Sequence, residues 1–105
     1  FGRLGWIADY PIMDNFLYPL FFTGTGDNRS QYSNTKFDQK IMKARTITDT
    51  AARLAAYQEA DALLAEDCVV APVMFYAHRH IGSEALKDFF FSPNMKATLN
   101  KANLA

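Results

Sequence analysis

The chain has 105 residues, and its eleven Lys+Arg balance eleven Asp+Glu, so the formal charge is zero. The length allows at most one domain, and charge neutrality argues against a nucleic-acid partner, which needs a clustered basic face. Half the residues are apolar, with nine Phe and five Tyr among them, a composition that argues for a folded chain and against a disordered tail.

Residues 1–10, FGRLGWIADY, read as a strand ending near Asp9, with Gly2 and Gly5 permitting close backbone approach. Pro11 then turns the chain. Asp14 is placed to cap a short helix through NFLYPLFF, which Pro19 should distort. The polar stretch Thr23–Ser33 reads as a loop. Asn34 can cap a helix running to about Thr46, with Phe37, Ile41 and Ala44 on one face. Asp49 can cap a longer one from Thr50 to about Glu66, with Leu54, Tyr57, Ala60 and Leu64 as its apolar stripe. The link between them is short, which predicts an antiparallel helical hairpin.

Residues 69–81, VVAPVMFYAHRHI, are β-branched and aromatic and read as a strand with Pro72 near its start. A turn or short helical piece around Gly82–Lys87 leads to a further strand at Phe89–Phe91. From Ser92 the chain is polar and weakly patterned, so residues 92–105 are expected to be a loosely structured tail. The fold class is therefore α+β: a strand, a helical hairpin and one or two further strands.

Cys68 is the sole cysteine, which excludes an internal disulfide and a multi-Cys zinc site. Beside Val69, Val70 and Ala71 it reads as a small buried residue. The longest apolar run, Cys68 to Ala77, is half the length a membrane-spanning helix needs (about 20 residues). No basic-then-apolar signal segment opens the chain. The start at Phe1, already patterned like the inside of an element, points to a fragment of a longer protein.

Several constellations have an ordinary explanation. Gly24-Thr25-Gly26 lacks the third glycine of a dinucleotide loop and follows a helix, so a plain loop is the better reading. His78 and His80 share a strand face, yet no third metal ligand lies near them in sequence, and solvent-facing histidines are the default. Asn28-Arg29-Ser30 matches the glycosylation acceptor pattern, a match short enough to arise by chance. Glu66-Asp67 closes a helix, where adjacent side chains diverge. No nucleophile–base pair is present, so no enzymatic activity and no cofactor is implied.

Gly5–Tyr10 is different. Asp9 stands at the end of an apolar segment, flanked by Trp6 and Tyr10. A carboxylate withdrawn from water needs a partner. A ligand ammonium would serve, with the aromatics as walls. Equally, Asp9 could cap the turn at Pro11 or pair with an internal Arg.

The series Gly5-Trp6-x-x-Asp9-Tyr10-Pro11, then Asn15-Phe16, then Tyr32-Ser33-Asn34-x-x-Phe37-Asp38 resembles the carboxy-terminal part of the oligopeptide/dipeptide-binding proteins of bacterial ABC importers (solute-binding proteins of family 5 type). Thr48-Asp49, Arg53, Tyr57, Ala60-Asp61, Leu64, Glu66-Asp67 and Pro72-Val73 continue it in order, and the similarity covers roughly residues 2–91. The resemblance implies an extracytoplasmic receptor and not an enzyme. Its fold would be the two-lobed periplasmic-binding-protein-like type II α/β fold, which closes on its ligand, and residues 1–91 would form a C-terminal segment of the binding lobe. It further implies that Asp9 pairs with the amino terminus of a peptide, that Trp6 lines the cleft beside it, and that Tyr10 is a weaker contact. A membrane permease would be the partner. Where relatives read Asp-Tyr-Pro-Asp-Pro, Ile12-Met13 replaces the second pair here, which bears on the cleft rim. The family also takes non-peptide solutes.

Cut from a larger sheet, such a segment exposes strand edges, so self-association is expected. The competing reading is a free-standing interaction module whose hairpin docks a partner through Phe37, Leu54 and Tyr57.

Overall fold

Helices form where a cap residue meets helical apolar spacing. In the computed structural model, which describes residues 3, 5–74, 77, 79, 81–92, 96–98 and 101–104, these are α1 (Asp14–Phe21), α2 (Thr35–Thr46) and α3 (Thr50–Glu66). The side chain of Asn34 accepts from the amides of Lys36 and Phe37, and that of Asp49 from Ala52. Each satisfies amides that the first turn leaves without an internal partner.

α1 departs from expectation at its start. Met13, not Asp14, is the N-cap residue and no side chain caps the helix. Asp14 is the first helical residue, and its carboxylate turns inward to other partners. Pro19 is accommodated within α1; it cannot donate to the Asn15 carbonyl, and the helix stops two residues later.

The chain divides into two compact units, Phe1–Pro72 and Val73–Ala105. The core of the first is built by Leu17, Leu20 and Phe21 from α1, Phe37, Ile41 and Ala44 from α2, and Tyr57, Ala60 and Leu64 from α3. Phe37 and Ile41 are wholly buried. α2 and α3 pack as the expected antiparallel hairpin. Lys40 pairs with Glu59 at 2.7 Å midway along it. At its open end Asp67 accepts from Tyr32 Oη at 2.6 Å and from Asn34 Nδ2 at 2.8 Å. Leu54 leaves the predicted stripe and is 46% exposed; the contact with α2 is made by Tyr57, Ala60 and Leu64.

α3 ends in a turn that explains a second departure. Cys68 takes φ +52°. Its amide bonds to the Ala65 carbonyl, and the Val69 amide reaches back to that of Leu64, both at 3.2 Å. This is the left-handed termination by which helices satisfy their last carbonyls. It folds Val69 onto the core and leaves Cys68 exposed, not buried.

Neither long strand expectation holds where the backbone is described. Residues 3 and 5–8 carry no ladder and Asp9–Tyr10 form a bend; residues 69–74, 77, 79 and 81 are likewise without strand. A strand is defined by a partner, and these segments have none among the described residues. Gly2, Phe75, Tyr76, His78 and His80 lie outside the described residues, so the histidine pair does too.

The second unit holds four two-residue strands: β1 (Leu86–Lys87), β2 (Phe90–Phe91), β3 (Ala97–Thr98) and β4 (Asn103–Leu104). β1 pairs antiparallel with β4 and β2 with β3, in nested order. Of the strand expected at Phe89–Phe91, Phe90–Phe91 is present, and the polar segment after Ser92 supplies both its partner and β4. Asp88, at φ +53°, sits between the two ladders and accepts from Asn103 Nδ2 at 3.2 Å.

Candidate functional site

Residues 6–10 have no ladder to hold them. The start of α1 holds them instead. Asn15 Oδ1 accepts from the Trp6 indole N–H and from the Asp9 amide, each at 3.0 Å. The Tyr10 hydroxyl donates to Asp14 Oδ2 at 3.1 Å. Two consecutive side chains of one helical turn thus tie down the three residues singled out in the sequence.

Trp6 is half-buried and packs against the core. With Arg3, Gly5, Leu20, Asp27 and Arg29 it lines an open cleft of about 220 Å³. Asp9 is exposed, not half-buried, and does not line that cleft. Its carboxylate makes no hydrogen bond or ion pair among the described residues, so it neither caps the turn nor pairs with an internal arginine. Tyr10 is 42% exposed, with its hydroxyl already committed to Asp14.

The buried carboxylate of this region is Asp14. Its Oδ1 accepts from the Tyr57 hydroxyl at 3.0 Å and lies 3.4 Å from Arg45 Nε. The Arg45 guanidinium also stacks 4.1 Å from the centre of the Tyr18 ring. Burial, and then the bond to Asp14, push the Tyr57 hydroxyl up to about 12. A carboxylate with this many donors is a structural tie and offers no open coordination to a ligand. The sequence spacing did not single out Asp14 or Asn15 for these roles. The available signal is that Asp and Asn inside a first helical turn compete for backbone groups unless their side chains are engaged elsewhere.

The remaining motifs resolve as structure. Asn28 Nδ2 donates to the carbonyls of Phe22 and Tyr32, and its Oδ1 accepts from Ser30 Oγ and the Tyr32 amide. The side chain that would carry a glycan is consumed in closing its own loop. Gly24, at φ +81°, supplies a turn of the same loop. Among the described residues no cluster of His, Cys, Asp and Glu could hold a metal ion. Of the three residues a docking hairpin would present, Phe37 and Tyr57 are buried and Leu54 alone is exposed. No described helix is long and apolar enough to cross a membrane.

No protein-family model matches the chain. Individual proteins do. It is 30% identical over 93 residues to the dipeptide-binding protein DppE of Bacillus subtilis, a stretch covering 89% of this chain and 17% of that protein. It is 29% identical over 86 residues to the oligopeptide-binding protein OppA of the same organism, covering 82% of this chain and 16% of that protein. With the periplasmic oligopeptide-binding protein OppA of Escherichia coli it shares 30% identity over 80 residues, 76% of this chain and 14% of that protein. The chain therefore spans about one sixth of the length of these relatives. The resemblance read from the Trp-x-x-Asp series is found over most of the chain, and the relatives are binding proteins, not enzymes.

Proposed function

We propose that this chain is a segment of an extracytoplasmic receptor that captures peptides for an ABC importer, and that Asp9 receives the ligand's amino terminus beside Trp6. In the whole receptor the segment would complete one lobe of a type II α/β fold, with residues 1–91 as the lobe segment and a membrane permease as partner. The observation that carries the reading is the contrast between Asp9 and its neighbours. Trp6, Tyr10, Asp14 and Asn15 each commit a polar side-chain atom to a hydrogen bond within the fold, whereas the Asp9 carboxylate is left exposed and unpaired among the described residues. A peptide ammonium would neutralise it through a charge-assisted hydrogen bond. The peptide-binding names of the relatives favour an amine-bearing ligand over other solutes. Isolated from its lobe, the segment would self-associate through edges that the rest of the receptor covers.

The test is calorimetric titration of the full-length protein carrying this chain with trialanine and with its amino-acetylated form. Asp9→Ala should weaken the free peptide by at least tenfold and leave the acetylated one little changed. Equal losses for the two ligands would remove the ammonium-partner role.

A further inference from the structure

Among the side chains around residues 6–10, Asn15 is the one whose geometry exceeds what folding of α1 requires. It is the second residue of α1 and is 4% exposed. Its single Oδ1 accepts two hydrogen bonds, from the Trp6 indole and from the Asp9 amide, each at 3.0 Å. Both partners can only donate, so the chemistry fixes which end of the amide faces them, and both lone pairs of that oxygen are used. The backbone amide of Asn15 also bonds to the Ile12 carbonyl at 3.1 Å, closing the turn between Asp9 and the helix. Behind it, Leu17, Leu20 and Phe21 anchor α1 in the core.

We propose that Asn15 is the positioning residue of the ligand site: it locks the Trp6 indole and the Asp9 backbone to one atom, and so fixes where the Asp9 carboxylate is presented. The inference rests on the reading of Asp9 as the ligand's partner. A segment with no ladder of its own would otherwise wander, and an ion pair whose acceptor must first be ordered is weakened by the entropy of ordering it. Anchoring both residues to a buried atom at a helix start removes that cost before the ligand arrives.

Trp6 is the only tryptophan of the chain, so its indole N–H gives a single resonance, and its hydrogen exchange can be followed together with that of the Asp9 amide. In the 105-residue chain both should exchange at least tenfold more slowly than in an unstructured peptide, although Asp9 is exposed. Asn15→Leu, close in volume but without an acceptor, should abolish that protection while the amides of α2 and α3 keep theirs. Asn15→Asp, which retains acceptor oxygens, should restore it in part. In the full-length protein Asn15→Leu should lower trialanine affinity about tenfold. Unprotected Trp6 and Asp9 groups in the unmodified chain would overturn the proposal, a result that needs no variant to fold. So would protection that survives Asn15→Leu, or full affinity in Asn15→Leu where Asp9→Ala binds weakly. Full affinity in Asp9→Ala would instead remove the ligand reading on which the proposal rests, whatever the exchange rates.

Discussion

The Tyr57 hydroxyl donates to Asp14 Oδ1 at 3.0 Å, across 43 residues of sequence. The same carboxylate receives Arg45 and Tyr10. α1 thus supplies the anion, α2 the cation and α3 the phenol, and the three helices meet at one polar point beside the apolar core. A carboxylate in such a place is costly unless every donor stays. The arrangement fixes the orientation of α1 on the hairpin, and with it the turn that carries residues 6–10.

Removing one donor should therefore be felt. Tyr57→Phe keeps the ring and deletes the hydroxyl, and it should cost about 1–3 kcal/mol in urea unfolding at pH 7. It should also change the alkaline limb. Burial and the Asp14 bond raise Tyr57 from 10.0 to about 12, and burial and the Asp67 bond do the same for Tyr32. A raised folded-state value means that the folded chain holds the proton more tightly. The stability so gained is complete below about pH 10 and drains away as the pH climbs toward 12. Unfolding midpoints between pH 9 and 12 should fall less steeply in Tyr57→Phe than in the unmodified chain. Parallel slopes would show that Tyr57 is not a titrating part of the fold.

Cys68 gives a prediction of opposite sign. It stands at φ +52° in the turn that ends α3, a conformation costing an L-residue roughly 1–2 kcal/mol. Glycine avoids that cost and gives back part of the gain through its freer unfolded state. Cys68→Gly should stabilise the chain by about 0.5–1 kcal/mol, and Cys68→Val, β-branched at the same φ, should destabilise it. Thermal melting of the two variants checks the order, and a glycine variant that melts lower would place the turn elsewhere.

The parts legible in the sequence are those whose signals are local. Asn34 and Asp49 announce α2 and α3 because a cap acts within three residues of itself, and both helices span the residues their caps and spacing predict. Phe90–Phe91 is found as a strand within the expected Phe89–Phe91, but its partner, Ala97–Thr98, sits in a segment with no pattern to advertise it. Residues 5–8 and 69–74 have strand composition without strand structure, since propensity supplies the residue and pairing supplies the ladder. The site divides the same way. Trp6, Asp9 and Tyr10 are visible as an unusual cluster. What organises them is not, because the roles of Asp14 and Asn15 depend on Tyr57 and Arg45 from distant helices and on a bend in place of the expected strand.

Leu54 shows how spacing alone misassigns a face. It shares the three-to-four residue recurrence of Tyr57, Ala60 and Leu64, yet it is 46% exposed while Ile41 on the facing helix is at 0%. The half-buried residues of α3 are Arg53, Ala56 and Leu63, which flank Tyr57, Ala60 and Leu64 on the side of the helix turned away from Leu54. Truncating a wholly buried isoleucine removes its transfer free energy and leaves a cavity, so Ile41→Ala should cost roughly 2–5 kcal/mol. Leu54→Ala should stay within about 0.5 kcal/mol of the unmodified chain, as exposed positions do. Urea midpoints at unchanged slope measure both. Comparable losses for the two variants would return Leu54 to the hairpin interface and rotate the contact face of α3 toward it.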